Sequence, residues 1–243
     1  MFTIRKQLWR RFLTWALRLA AVATVVLAIA MVVALRPYYK QAQTFDLGVI
    51  ADQPKLAYNT LPQHLIDAVV AAEDSRFFTH HGLDLRGVAR AAHVNWQANS
   101  TLQGGSTITQ QLAKQTYNIH QRTLKRKLVE MFLARRIENR FTKRTILSAY
   151  LSLIYYGNGF NGICPAAKGY YQKGVSELTV TESATLVGLI KAPSRAEPYD
   201  HPARAKKARN LVLKRMADEN KLSKEEAAHL QAMPLSPGRG EQI

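Results

Sequence analysis

Glu73 is the first residue of this chain placed for acid–base chemistry. On a helical wheel it falls between Val69 and Ile66, at the edge of an apolar face made by Leu65, Ala68, Val69 and Ala72. A carboxylate beside a core is partly desolvated, which raises its pKa toward the range useful for proton transfer. Asp74, Phe77, Phe78 and His80 crowd the same stretch. A plainer reading competes: Glu73 could cap its helix end or pair with Arg76.

Two further segments carry groups suited to anions. Gly104-Gly105-Ser106-Thr107 leads into Ile108-Thr109-Gln110-Gln111-Leu112-Ala113-Lys114. Glycines entering a helix N-terminus leave free N–H groups at the positive end of the dipole. Thr107, Gln111 and Lys114 stand at i, i+4 and i+7, which predicts one polar face offering hydroxyl, amide and ammonium. The Gly and Lys spacing is not that of a P-loop. The alternative is an ordinary capped helix with a solvated face. In Arg126-Lys127-Leu128-Val129-Glu130, the i, i+3 and i+4 spacings put Arg126, Lys127 and Glu130 on one face. A carboxylate between two cations stays ionised and suits charge stabilisation or metal contact. A surface salt-bridge helix has the same pattern.

From Arg90 to Arg144 there are eleven Lys and Arg against two acids, Glu130 and Glu138. The whole chain carries 34 basic and 17 acidic residues, net +17, and every acid lies after Thr44. Such a balance calls for a polyanion: nucleic acid, an anionic membrane or phosphate-bearing ligands.

The elements that must hold these residues read as helices. A helix begins at Leu61-Pro62 and runs through Glu73, and Gly104-Gly105 breaks the chain before one starting near Ser106. Further helices are expected over 123–141, 143–153, 182–190 and 203–219, with a loop at Gly157-Asn158-Gly159. Ser223 and Glu226 form a capping box for a last short helix. No run alternates as a strand does. The single Cys164 allows no internal disulfide and reads as a small apolar filler.

From Leu19 to Leu35 no residue is charged and only Thr24 is polar; extending back to Phe12 adds a single charge, Arg18. At 1.5 Å per residue this spans about 26–36 Å, enough for a bilayer core. Arg5, Lys6, Arg10, Arg11 and Arg18 precede the centre of the run, while Arg36 and Lys40 follow. That bias predicts an N-terminus inside and the rest outside, where nucleic acid is not an expected partner. A cleaved signal peptide, with Ala28-Ile29-Ala30 as the site, is the rival, but the apolar run continues past it. Pro37 and Tyr38-Tyr39 are expected to end the membrane helix. The expected organisation is a basic tail (1–11), a transmembrane anchor (12–35), a juxtamembrane linker (36–59), a catalytic domain (60–220), and a short helix with a mobile tail (221–243).

In order along the chain, these segments resemble the peptidoglycan glycosyltransferase family, the transglycosylase module of monofunctional enzymes and class A penicillin-binding proteins. The first motif, E-D-x-x-F-x-x-H-x-G, is complete from Glu73 to Gly82. The second, G-x-S-T-I-T-Q-Q-L-x-K-N, runs from Gly104 to Lys114, with Gln115 in place of Asn. The third, R-K-x-x-E, is Arg126 to Glu130. The fourth, K-x-x-I-L-x-x-Y-L-N, reads Lys143, Ile146, Leu147, Tyr150 and Leu151, with Ser152 for Asn. In the fifth, R-x-x-x-V-L, Val212-Leu213 stand but Ala208 takes the Arg position and Arg209 follows. Cys164-Pro165 replaces the Glu-Ala of the family's Gly-Ile/Val-Glu-Ala-Ala run, which puts the local loop shape in question.

The resemblance implies a mostly α fold: a lysozyme-like helical large lobe and a smaller membrane-associated jaw at about Val88 to Gln103, preceded by one transmembrane helix. Trp96 would anchor the jaw at the interface. The substrates would be lipid II and the growing glycan chain, with cell wall synthesis or division proteins as partners. Glu73 would be the general base and Glu130 a second catalytic carboxylate, beside the pyrophosphate. The substrate would be bound by Asp74, Phe77, His80, Arg90, Ser106, Thr107, Gln110, Gln111, Lys114, Arg122, Arg126 and Lys127, with Lys114, Arg122 and Arg126 on the pyrophosphate. No cofactor is required, and Glu130 leaves room for a divalent ion, Mg or Mn. The enzyme would sit in the cytoplasmic membrane with its domain on the outer, periplasmic face. Two rivals stay open: a lytic enzyme of the same fold, which needs no pyrophosphate clamp, and a non-catalytic scaffold binding wall precursor. No transpeptidase domain is expected to follow.

Overall fold

The structure, a computed structural model, describes residues 2–51, 56–97, 104–117 and 123–236. Among these the fold is helical; the only pairings of strand type are isolated bridges, His81 with Leu83 and Tyr155 with Asn161. The helices are α1 (Phe2–Thr44), α2 (Gly48–Ala51), α3 (Gln63–Glu73), α4 (Leu85–Gln97), α5 (Ile108–Thr116), α6 (Leu124–Arg140), α7 (Lys143–Leu153), α8 (Ile163–Tyr171), α9 (Val180–Leu189), α10 (Pro202–Asp218) and α11 (Lys224–Ala232).

Side-chain caps start five of these helices. Thr107, Thr123, Thr142, Thr179 and Ser223 each accept a hydrogen bond from the backbone N–H three residues on, at 3.0–3.3 Å. Each such cap stabilises its helix by about 1 kcal/mol. Pro62 sits just before α3 and Pro202 opens α10, where a missing N–H costs nothing.

Two groups of helices meet in one core. α3 packs between α9 and α10, and α5 between α6 and α7. Leu65, Ala68 and Val69 of α3, Ile108 and Leu112 of α5, Ile146 and Leu147 of α7 and Leu213 of α10 are fully buried. The α9–α10 crossing needs small residues. A Cβ on Gly188 would fall 2.9 Å from the carbonyl carbon of Ala208. That crossing is a physical reason for a small side chain at 208. Arg209 is fully buried instead, donating to the carbonyls of Gln231, Met233 and Pro234. It ties the end of α11 to α10.

Several expectations need correction. The N-terminal helix does not end at Pro37 but runs to Thr44, so the first part of the expected linker is helical. Its end is docked: Tyr39 meets Phe132 edge-on at 5.6 Å, and Arg136 of α6 donates to the carbonyls of Ala42 and, at 3.2 Å, Phe45. Packing thus overrides the proline. The stretch Leu17–Thr44 reaches a mean hydropathy of 2.5, and its most apolar window is wholly outside the packed body. α8 was not expected. Cys164 and Pro165 lie in its first turn, where proline is tolerated, and Cys164 is exposed, not a core filler. The first part of the expected jaw is α4, which exposes Leu85, Val88 and Trp96; residues 98–103 lie outside the described residues.

Candidate active site

Glu73 ends α3, and its side chain is only 6% exposed. Gln111 Nε2 donates to its Oε2 at 2.9 Å, and Tyr150 Oη donates to Gln111 Oε1 at 3.0 Å. The tyrosine therefore fixes which way the amide points, and the amide fixes the carboxylate. Lys191 Nζ stands 3.9 Å from the other oxygen. Arg215 of α10 donates to the carbonyl of Ala72, the residue before. Burial pushes the Glu73 pKa up; Lys191, Gln111 and Arg215 draw it back down, and Asp74 adds a small push upward. Arg76 does not pair with Glu73, since it bridges to Asp84.

A cleft of about 320 Å³ lies against Glu73. Glu73, Asp74, Arg90, Gly104, Gly105, Ser106, Thr107 and Arg215 are among its walls. Arg90 donates to Ser75 Oγ at 2.9 Å and is half exposed. Ser106 connects the cleft to the third motif, because Lys127 Nζ donates to its Oγ at 2.7 Å. Lys127 Nζ also lies 3.4 Å from Glu130 Oε2, and Arg126 Nε lies 3.3 Å from Glu130 Oε1. The three residues share a face as their spacing requires, with the Glu130 side chain buried beneath.

Several expected substrate ligands also serve the fold, Asp74 and Thr107 among them although both line the cleft. Asp74 is buried and accepts from His80 Nε2 at 2.9 Å and from Ile108 N at 3.0 Å, joining the end of α3 to the start of α5. Phe77 is fully buried and does not line the cleft; Lys143 Nζ sits 4.4 Å over its ring. His80 is held between Asp74 and Lys143, with its Nδ1 3.4 Å from the lysine Nζ. Thr107 and Gln110 complete a capping box on α5, and the Thr107 hydroxyl donates to Gly82 O at 2.9 Å. The expected polar face of Thr107, Gln111 and Lys114 is therefore split. Thr107 is turned inward, Gln111 holds Glu73, and Lys114 is exposed in the last turn of α5. Arg122 lies outside the described residues.

Sequence reasoning missed four groups. Lys191 and Arg215 flank Glu73, yet one follows a helix end and the other is one cation among several on α10. The Tyr150 hydroxyl belonged to a quoted motif without a role. Glu138 accepts from Gly82 N, Thr109 Oγ1 and, at 2.8 Å, Lys143 Nζ, so one buried carboxylate joins the first, second and fourth motifs. No spacing rule singles it out.

The donor set at Glu130 does not fit a divalent ion. Both of its oxygens face cations, and among the described residues no group of three His, Cys, Asp or Glu is placed to hold a metal. Hard cations need several oxygen ligands.

A family model described as Transglycosylase matches residues 42–217. The chain belongs to this family. Penicillin-binding protein 1A of Aquifex aeolicus (strain VF5) is 44% identical over 191 residues, covering 78% of this chain and 26% of that protein. The penicillin-binding protein 1A of Haemophilus influenzae is 44% identical over 182 residues, 74% of this chain and 21% of the relative. That of Escherichia coli (strain K12) is 45% identical over 166 residues, 68% and 20%. The chain spans about a quarter or less of the length of these relatives.

Proposed function

We propose that this chain is a peptidoglycan glycosyltransferase that polymerises lipid II into glycan strands. The observation that carries the reading is a cleft with Glu73, oriented by Gln111, and Ser106 in its walls, where Ser106 is bonded to Lys127 of the Lys127–Glu130–Arg126 cluster behind it. Family membership supports the class of reaction.

In this reading Glu73 takes the proton from the acceptor sugar 4-hydroxyl. The freed oxygen attacks the anomeric carbon of the growing donor chain as the bond from that carbon to pyrophosphate breaks. An α-linked pyrophosphate gives a β-1,4 product, so the displacement inverts and needs a base on one side and charge stabilisation on the other. Arg90, Lys127 and Arg126 supply positive charge near Ser106 for the departing undecaprenyl pyrophosphate, and Lys114 extends that surface. Glu130 holds Arg126 and Lys127 in place. α1 serves as a single-pass anchor with its N-terminus inside, a reading that its charge bias supports. The test is direct. Purified protein in detergent should convert lipid II to polymer and undecaprenyl pyrophosphate; binding of lipid II without turnover would instead make it a scaffold.

A further inference from the structure

A base at the end of a helix faces two unfavourable effects. Burial removes water from its charge, and the C-terminal end of the helix dipole is negative. Glu73 meets both, being the last residue of α3 with a side chain only 6% exposed. The last carbonyls of a helix also lack intrahelical partners. One of them, Ala72 O, takes its hydrogen bond from the Arg215 guanidinium, which crosses from α10 and lines the same cleft as Glu73. We propose that Arg215 is a positioning residue for the base, anchoring the last turn of α3 and placing a fixed positive charge beside Glu73. The inference rests on the reading of Glu73 as general base.

The groups facing Glu73 divide the work. Gln111 from α5 orients one oxygen, with the Tyr150 hydroxyl from α7 behind it. Asp74 and the buried Tyr156 are the other titratable groups that act on this carboxylate or feel its charge, and neither supplies a cation. Lys191, which follows α9, is the nearer cation, but its side chain is 45% exposed and burial draws its pKa down. A guanidinium bonded to a carbonyl is held in one plane, whereas an ammonium on a flexible stem is not. Arg215 therefore fixes both the peptide that carries the base and part of its charge environment. Direct contact with substrate is the competing role, since Arg215 faces the cleft.

The experiment compares wild type, Arg215→Gln and Arg215→Lys. Rates of lipid II polymerisation are measured across the acid and neutral range, with kcat and KM separated. In parallel, the Glu73 carboxyl is titrated without substrate by infrared difference spectroscopy against Glu73→Gln. The expected result for Arg215→Gln is an acid limb of kcat, and a carboxyl titration, both moved up by roughly one pH unit. KM should stay within about twofold, and Arg215→Lys should recover most of the shift. A raised KM with the limb unmoved, or a uniform loss at every pH with the Glu73 titration unchanged, overturns the proposal. If wild type makes no polymer, the reading of the function fails separately, while the carboxyl titration still decides whether Arg215 acts on Glu73.

Discussion

At the scale of single residues, Glu73 combines two demands that pull apart. In the proposed role as base it must be desolvated to have a useful pKa, yet a desolvated carboxylate weakens the fold. Burial raises its pKa above the unfolded value, so the native state binds that proton more tightly. The resulting stability is fully present below the unfolded pKa and is lost as pH rises through the folded one. Glu73→Gln should therefore melt higher than wild type at neutral pH, and the difference should vanish in acid. Thermal unfolding at both pH values checks this; a variant that melts lower at neutral pH contradicts it. The apolar spacing around Glu73 made its burial legible, because a helical wheel needs no tertiary contact. Lys191 and Arg215 were not legible: they reach Glu73 only after α9 and α10 pack on α3.

At the scale of elements, boundaries were legible at some positions that a cap or a proline marks, as at Pro62, Thr123, Thr142 and Ser223, but not at Pro37 or at the Thr179 cap of α9. α8 escaped notice because its N-cap is Gly162, at φ 92°, with no side-chain bond to announce the helix. Proline in the next turn also reads as loop. The α9–α10 crossing supplies a prediction whose sign separates propensity from packing. In an exposed helix Gly→Ala stabilises by about 1 kcal/mol. At Gly188 the added Cβ would lie 2.9 Å from the Ala208 backbone, so overpacking should prevail. Gly188→Ala should cost roughly 1–3 kcal/mol, read from the denaturant midpoint. A stabilised variant would show that the two helices part easily.

At the scale of the whole molecule, the long N-terminal helix and the helical body are joined by a built seam. The linker expected after Pro37 was a local inference from proline and tyrosine, and it could not see Arg136 capping the carbonyls of Ala42 and Phe45. If α1 is the membrane anchor, this seam sets the height of the cleft above the bilayer. Arg136→Ala removes charged hydrogen bonds worth roughly 1.5–3 kcal/mol and should loosen it. Polymerisation of lipid II embedded in vesicles should then fall several-fold, while a short-chain, water-soluble analogue is used at the wild-type rate. Equal losses on both substrates would place the effect in the fold rather than in the seam. The central claim concerns the carboxylate that the cleft is built around. Its most direct test is the initial rate of polymer formation from purified lipid II by wild type and by Glu73→Gln, at equal protein and with lipid II binding measured alongside. The account predicts binding preserved and a rate lower by about 10² or more; a Glu73→Gln rate within a few-fold of wild type would contradict it.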